Sequence, residues 1–332
     1  IKNLNLIPEK QLYRIKYLTF DFISGIMWNM KHGKDDFDMK QRYQAFHPSY
    51  LPIDPAFLKT ETYLDELIDA STSLEVYKEK IKDSKLDRSW FLPTLQQKEA
   101  LASSMIEGTQ ATLDGVLVNR VVPDKKDINI QEVVNYNTAT EYGYRYLKKG
   151  DFDIDFIQEL HKILLQGRVR RQTDEIGVFR THQNYIGTMG GKREITYTPP
   201  EPEMVEPLIS NLLEYIKNPK DNLRALVRIG IIHAQFETIH PFMDGNGRVG
   251  RILIPLYLYF VDQIDMPCFF VSEALERDKM KYYSLLNNIR SKNEWSEWIK
   301  FFLITVKNQC EKYIHMISDI NLLYEKDLEK AC

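Results

Sequence analysis

The segment 221–262 constrains the fold more than any other part of this 332-residue chain. From Asp221 to Ile239, apolar residues at Leu223, Val227, Ile231, Ala234 and Phe236 sit in a run too long for a strand. The run is apolar nearly all round, which predicts a helix at the centre of a mainly α core. It ends in "HPFMDGNGRVGR" (His240–Arg251), and a helical pattern resumes from about Gly247 to Asp262. The second apolar run, "ILIPLYLYFV" (Ile252–Val261), contains Pro255 and is too short to cross a bilayer, so it also reads as a buried helix.

The remaining pattern is helical, without repeats or low-complexity tracts. A turn-rich entry, "FHPSYLPIDP" (Phe46–Pro55), precedes a helical stretch. One helix is expected from about Pro93 to Gly115, one capped by Asn129 and closed at Gly150, and one from Asp153 to about Gln166 with Gly167 as its stop. Glu203–Lys217 and everything from Ser272 onward also read as helix. The exception is Gln183–Pro200, where β-branched and aromatic residues flank Gly190 and Gly191 and predict a small β-hairpin.

Within the central segment, Gly245-Asn246-Gly247 permits a tight turn just before a helix restarts, so loop N–H groups and a helix N-terminus converge into an anion cradle. Arg248 and Arg251, three apart, point from one face of that helix and suit a polyphosphate. Asp244 beside the cradle is the single carboxylate that a Mg2+ ion shared with phosphates needs. His240, directed by Pro241, is placed to take a proton near neutral pH. Phe242 reads as a plug into the core.

Each of these residues has an ordinary use when taken singly: a structural histidine, a turn aspartate, a solvated arginine. Their joint spacing argues for a site. "GNGRVG" formally matches GxGxxG, but a buried helix rather than a strand precedes it, which argues strongly against a dinucleotide fingerprint. No Lys-Ser/Thr ending makes it a P-loop. His233, seven residues before His240, reads as a hydrogen-bonded core histidine. A net charge of -3 gives no basic field for nucleic acid. Cys268, Cys310 and Cys332 are odd in number and lack disulfide or zinc spacing, so a cytoplasmic setting is expected. The N-terminal stretch, interrupted by Asp21, argues against an intact signal peptide.

"HPFMDGNGRVGR" resembles the Fic (filamentation induced by cAMP) motif HPFx[D/E]GNGRxxR at every specified position. "IGVFRTHQNYIG" through "YTPP" (Ile176–Pro200) is similar to the segment leading into the Fic flap hairpin. "FHPSYLPID" and "SSMIEGT" resemble the region preceding a Fic core. The resemblance spans about residues 41 to 300. It implies a Fic-type helical bundle with a small β-hairpin flap: an N-terminal segment 1–40, an associated region with an inhibitory helix 41–125, a catalytic core 126–300 and a C-terminal helical extension 301–332.

The activity implied is adenylyl transfer, AMP passing from ATP to a Ser, Thr or Tyr hydroxyl of a target protein with Mg2+ present. On this reading His240 is the base, Asp244 the metal ligand, and Gly245, Asn246, Gly247, Arg248 and Arg251 the phosphate site. Tyr282 or Tyr283 is expected to close the adenosine side, against the commoner use of adjacent helical tyrosines in packing. Ile195 and Tyr197 of the flap would align the target as an added strand. Ser103, Glu107 and Gly108 match the inhibitory [S/T]xxxE[G/N] motif, with Glu107 pairing Arg251. Removal of AMP, transfer of another phosphate-containing group at the same site, and a non-catalytic binding module are the alternatives. Self-modification and a homo-oligomer are compatible with the sequence; a membrane partner and DNA binding are not expected.

Overall fold

The computed structural model describes residues 44–84, 88–121, 127–167, 169, 174–188, 194–266 and 268–331. The expected N-terminal segment 1–40 and the hairpin tip at Gly190 and Gly191 lie outside these. By compactness the chain divides into a helical body, Phe46–Asn184 with Pro199–Cys332, and a second unit that contains the hairpin segment Tyr185–Thr198.

The described body is all helix. After two 3-10 turns, Pro55–Phe57 and Thr60–Thr62, come α1 (Leu64–Lys82), α2 (Arg88–Ile106), α3 (Leu113–Val121), α4 (Ile128–Leu147) and α5 (Ile154–Leu164). Then follow α6 (Pro202–Lys217), α7 (Ala225–Ile239), α8 (Asn246–Phe260), α9 (Ser272–Arg277), α10 (Lys279–Lys292) and α11 (Trp295–Ala331).

As its composition predicts, α7 lies at the centre. Every residue from Leu226 to Ile239 is buried except Arg228, and α1, α6, α8, α10 and α11 all pack on it. Arg228 is accounted for at the helix start, where it pairs with Asp221 at 2.8 Å. Asp221 also accepts the Leu223 N–H at 3.1 Å, so it anchors a turn and the helix begins four residues later than its sequence pattern suggests. At Gly230 the absence of a Cβ lets α11 close in: a Cβ would lie 3.0 Å from Ile299 Cδ1. There Trp298 Nε1 donates to the Gly230 carbonyl at 2.8 Å. Each large apolar side chain so buried contributes about 1.5–3 kcal/mol.

Two expected helices have different bounds for reasons visible in the backbone. The helix expected to reach Gly115 stops at Ile106, because Gly108 turns left-handed at φ 91° and the Thr109 N–H reaches back to the Ser104 carbonyl. The C-terminal run breaks twice, at Asp278 and at Asn293, the latter left-handed at φ 56°. The α4 cap is Asp127 rather than Asn129, accepting N–H groups of Asn129 and Ile130 at 2.9 and 3.3 Å.

The hairpin pairs β1 (Ile186–Thr188) antiparallel with β2 (Glu194–Tyr197), Ile186 facing Tyr197 and Gly187 facing Ile195 across a bulge. Because the bulge falls between them, Ile195 and Tyr197 oppose adjacent residues of β1 and lie on opposite faces of β2.

Candidate active site

The motif loop is the corner between α7 and α8. His240 caps α7 with φ 52° and ψ 60°, a left-handed conformation that costs a residue with a Cβ about 1–2 kcal/mol. Gly245, at φ 79°, starts α8 where such an angle is free of cost. Between them, Asn246 clamps the loop: its Oδ1 accepts the Phe242 N–H at 2.8 Å and its Nδ2 donates to the Phe242 carbonyl at 2.7 Å. Both side-chain atoms are thereby committed, so what Asn246 offers an anion is its backbone N–H.

Phe242 plugs the core as expected, and its ring stacks on His161 of α5 with centroids 3.8 Å apart and planes 4° from parallel. His161 Nδ1 accepts the Gly177 N–H at 2.9 Å, which leaves the proton on Nε2 to donate to the Asp244 carbonyl at 3.0 Å. Burial pushes its pKa down to about 4, so this tautomer persists at neutral pH. His161 props the loop from below. No local signal in the sequence marks it, because it lies on the buried face of an amphipathic helix like any core residue.

The N-terminus of α8 carries no side-chain cap, so the N–H groups of its first turn are left for a ligand. Arg248, 3% exposed, stands beside it, 3.4 Å from Asp244 Oδ2 and 4.0 Å from Glu132 Oε1. Its Nε and Nη1 are buried and make no hydrogen bond. Buried guanidinium donors of this kind call for an acceptor.

Arg251, 1% exposed, is engaged by α2. Its Nε donates to Ser103 Oγ at 2.8 Å, and Nη2 donates to the Ser103 carbonyl at 2.9 Å and to Glu107 Oε1 at 2.7 Å. A Cβ added at Gly247 would collide with that same Glu107 oxygen, so the carboxylate lies directly on the first turn of α8. Burial alone raises the Glu107 carboxyl, but Arg251 outweighs it and holds the group below its ordinary range. Further up α2, Glu99 accepts from Ser272 N at 2.9 Å and from Tyr136 OH at 3.0 Å, fixing the helix body to α9 and α4.

His240 Nδ1 faces the Glu237 carbonyl at 3.4 Å, which assigns the proton to Nδ1 and leaves Nε2 as the acceptor. Burial of the ring and then the nearby Arg290 push its pKa down to about 3, so the imidazole is neutral. Arg290 itself donates to the Glu237 carbonyl at 3.1 Å and to Thr238 Oγ1 at 3.2 Å.

The two tyrosines separate. Tyr282 is 1% exposed, and its hydroxyl donates to His233 Nε2 at 2.9 Å, while His233 Nδ1 donates to the Gly250 carbonyl at 3.0 Å. Both are core residues, as expected for His233, and this commits Tyr282 to packing. Tyr283, 37% exposed, is the one with a ring to offer a ligand.

The signature of the Fic/DOC family matches residues 151–258, and that of the Fic/DOC family N-terminal region matches 64–145. Among curated relatives, protein adenylyltransferase fic-1 of Caenorhabditis elegans is 29% identical over 156 residues, 45% of this chain and 28% of its own length. Protein adenylyltransferase Fic of Drosophila willistoni is 25% identical over 223 residues, 65% of this chain and 41% of its own. The chain therefore spans well under half the length of these relatives. Among solved structures, a Fic family protein from Desulfovibrio desulfuricans superposes with a TM-score of 0.61 at 23% identity, covering 81% of this chain and 77% of that one. C. elegans Fic-1 superposes with a TM-score of 0.61 at 19% identity, covering 77% and 74%. With the two family signatures covering more than half of its length, and the same helical fold around an intact motif, the chain belongs to the Fic/DOC family.

Proposed function

We propose that the protein is an adenylyltransferase that moves AMP from ATP to a hydroxyl of a target protein, and that its own helix α2 holds it back. One observation carries this reading: the Glu107 carboxylate lies on the first turn of α8 while pairing Arg251 at 2.7 Å. A carboxylate there uses the donors that a phosphate would use. The corner is thus an anion site, and its present occupant is the chain's own side chain. The names of the relatives supply the anion's class.

In the reaction, the target hydroxyl oxygen forms a bond to the α-phosphorus as the bond to the bridging oxygen of the β-phosphate breaks, and pyrophosphate leaves. The hydroxyl proton passes to His240 Nε2. The α8 N–H groups and Arg248 balance charge on the phosphates, and Arg251 holds the outer phosphate once Glu107 withdraws. Asp244 is a hard, partly exposed carboxylate at the mouth of this corner, a donor set that fits Mg2+ with water and phosphate oxygens as remaining ligands. Such an ion would screen phosphate charge and orient the chain. Ser103 and Gly108 serve the inhibited arrangement: Ser103 fixes Arg251, and Gly108 ends the helix just beyond Glu107. Tyr283 is the ring available to adenosine. The flap strand β2, with Ile195 and Tyr197, is where the target would add as a further strand. Buried thiols at Cys268 and Cys310 favour a cytoplasmic setting.

The test is incubation of parent, Glu107→Gly and Glu107→Gly/His240→Ala proteins with α-labelled ATP, Mg2+ and a lysate. Label on protein should be strong only in the single variant. Label that appears equally from γ-labelled ATP would overturn AMP as the transferred group.

A further inference from the structure

A left-handed histidine persists only where its surroundings over-determine it. At His240 the surroundings are largely one residue, Arg180, 2% exposed on the segment between α5 and β1. Its Nε donates to the His240 carbonyl at 3.0 Å, its Nη2 to the Ile239 carbonyl at 3.5 Å, and its backbone N–H to the Pro241 carbonyl at 2.9 Å. Three consecutive carbonyls around the strained residue thus accept from the same partner. The guanidinium also donates to the carbonyls of Pro200 and His182, which follow and precede the hairpin segment in sequence. Asn184, two residues after His182, donates to the Phe242 carbonyl at 3.0 Å.

We propose that Arg180 is a positioning residue of the transfer reaction: its fork fixes the turn that aims the His240 imidazole. The inference rests on the adenylyl-transfer reading, in which His240 is the base. The residue type follows from the geometry. Carbonyls in several directions around one buried point require the planar, five-donor guanidinium, whereas the three donors of an ammonium radiate from a single atom. A cation is also favoured here because Ile239 lies at the C-terminal, negative end of the α7 dipole. Nothing in this role touches the phosphates, which are served by α8 and Arg248.

The test is Arg180→Lys, which keeps charge and stem, made in the active Glu107→Gly background. The expected result is a fall in kcat of about 10²-fold, the scale of a misplacement near 1 Å, with the Kd for Mg2+–ATP by calorimetry within about threefold of the background. Retention of kcat within about threefold overturns the proposal, as does a loss of ATP affinity in step with kcat. A second readout is independent of turnover. The carbon-13 Cα and Cβ shifts of His240 should report left-handed backbone in the unmodified protein and move away from it in Arg180→Lys. Ordinary shifts in the unmodified protein overturn the proposal even where the variant does not fold. Left-handed shifts that move in the variant, while the Glu107→Gly protein transfers no label, uphold the positioning role and sink the adenylyl-transfer reading instead.

Discussion

Replacing Glu107 with glycine removes one of the three hydrogen bonds that hold Arg251 and leaves the two from Ser103, so the guanidinium keeps its place and loses its competitor. A charge-assisted bond contributes about 1.5–3 kcal/mol. If that is the margin by which the inhibited arrangement excludes the productive phosphate pose, its loss raises AMP transfer roughly 10- to 150-fold. Glu107→Gln retains an acceptor without the charge and should fall between, at roughly 2- to 30-fold, since a neutral bond keeps about 1 kcal/mol of that margin. The parent pair is half-buried, and its removal leaves a buried Arg251 cation less well compensated, so unliganded Glu107→Gly should melt below the parent. ATP should then raise its melting temperature more than the parent's, because phosphate takes over the vacated donors. The assay is label from α-labelled ATP on protein, with calorimetry for ATP binding and scanning fluorimetry for stability. A folded, ATP-binding Glu107→Gly protein that labels at the parent level refutes the competition, and parity of Gln with Gly refutes the charge argument.

His240→Ala should abolish transfer in the Glu107→Gly background while ATP affinity stays within about threefold, since the base acts only in the chemical step; comparable transfer rates sink that assignment. In an NMR titration of the unliganded protein, the His240 ring should stay neutral down to about pH 4.5, because burial and Arg290 lower its pKa to about 3; titration near 6.5 would contradict this. Arg248→Ala should weaken ATP binding roughly 10- to 150-fold by calorimetry, the cost of a charge-assisted contact. Glu237 is buried and its pKa is raised by burial to about 7, so the folded state binds a proton that the unfolded state releases between about pH 4.5 and 7. Its contribution is therefore present at low pH and lost as pH rises through that window. Relative to Glu107-intact Glu237→Gln, the parent should gain about 2 kcal/mol on going from pH 7 to 5, read by urea titration at both pH values.

What was legible in the sequence was whatever lies close along it. The apolar surface of α7, the Gly245 turn and the spacing of Arg248 and Arg251 are local patterns, and each reappears in the structure. Ser103 and Glu107 share a face because they are four apart, yet their meeting with Arg251 across 148 and 144 positions was legible only through family resemblance. The residues that aim the site were invisible for the same reason. His161, Arg180, Glu237 and Arg290 are single polar residues within ordinary patterns, and their partners lie on other elements. Tyr282 and Tyr283 show the limit from the other side: adjacency gave no hint of which ring turns inward, because His233 and Trp298, far off in sequence, decide it.

On the proposed reading, the end of α2 also sets the scale of the event that would free the site. The helix body is pinned at Glu99 and Ser103, so swinging it away would break buried bonds on three neighbours. Glu107 lies in the turn just after the helix, closed by Glu107 N–H to Ser104 O at 3.1 Å and Gly108 N–H to Met105 O at 2.9 Å, and flanked by two long-range ties, Lys279 Nζ to the Ile106 carbonyl and Thr109 Oγ1 to Glu132 Oε2 at 2.6 Å. Carrying the carboxylate off Arg251 therefore calls for opening one pinned turn rather than a whole helix, a local opening that costs more than the fraying of a free terminus and less than global unfolding. On the proposed reading the gate is a residue-sized latch tied on both sides, and a partner or modification would act by loosening one of those ties.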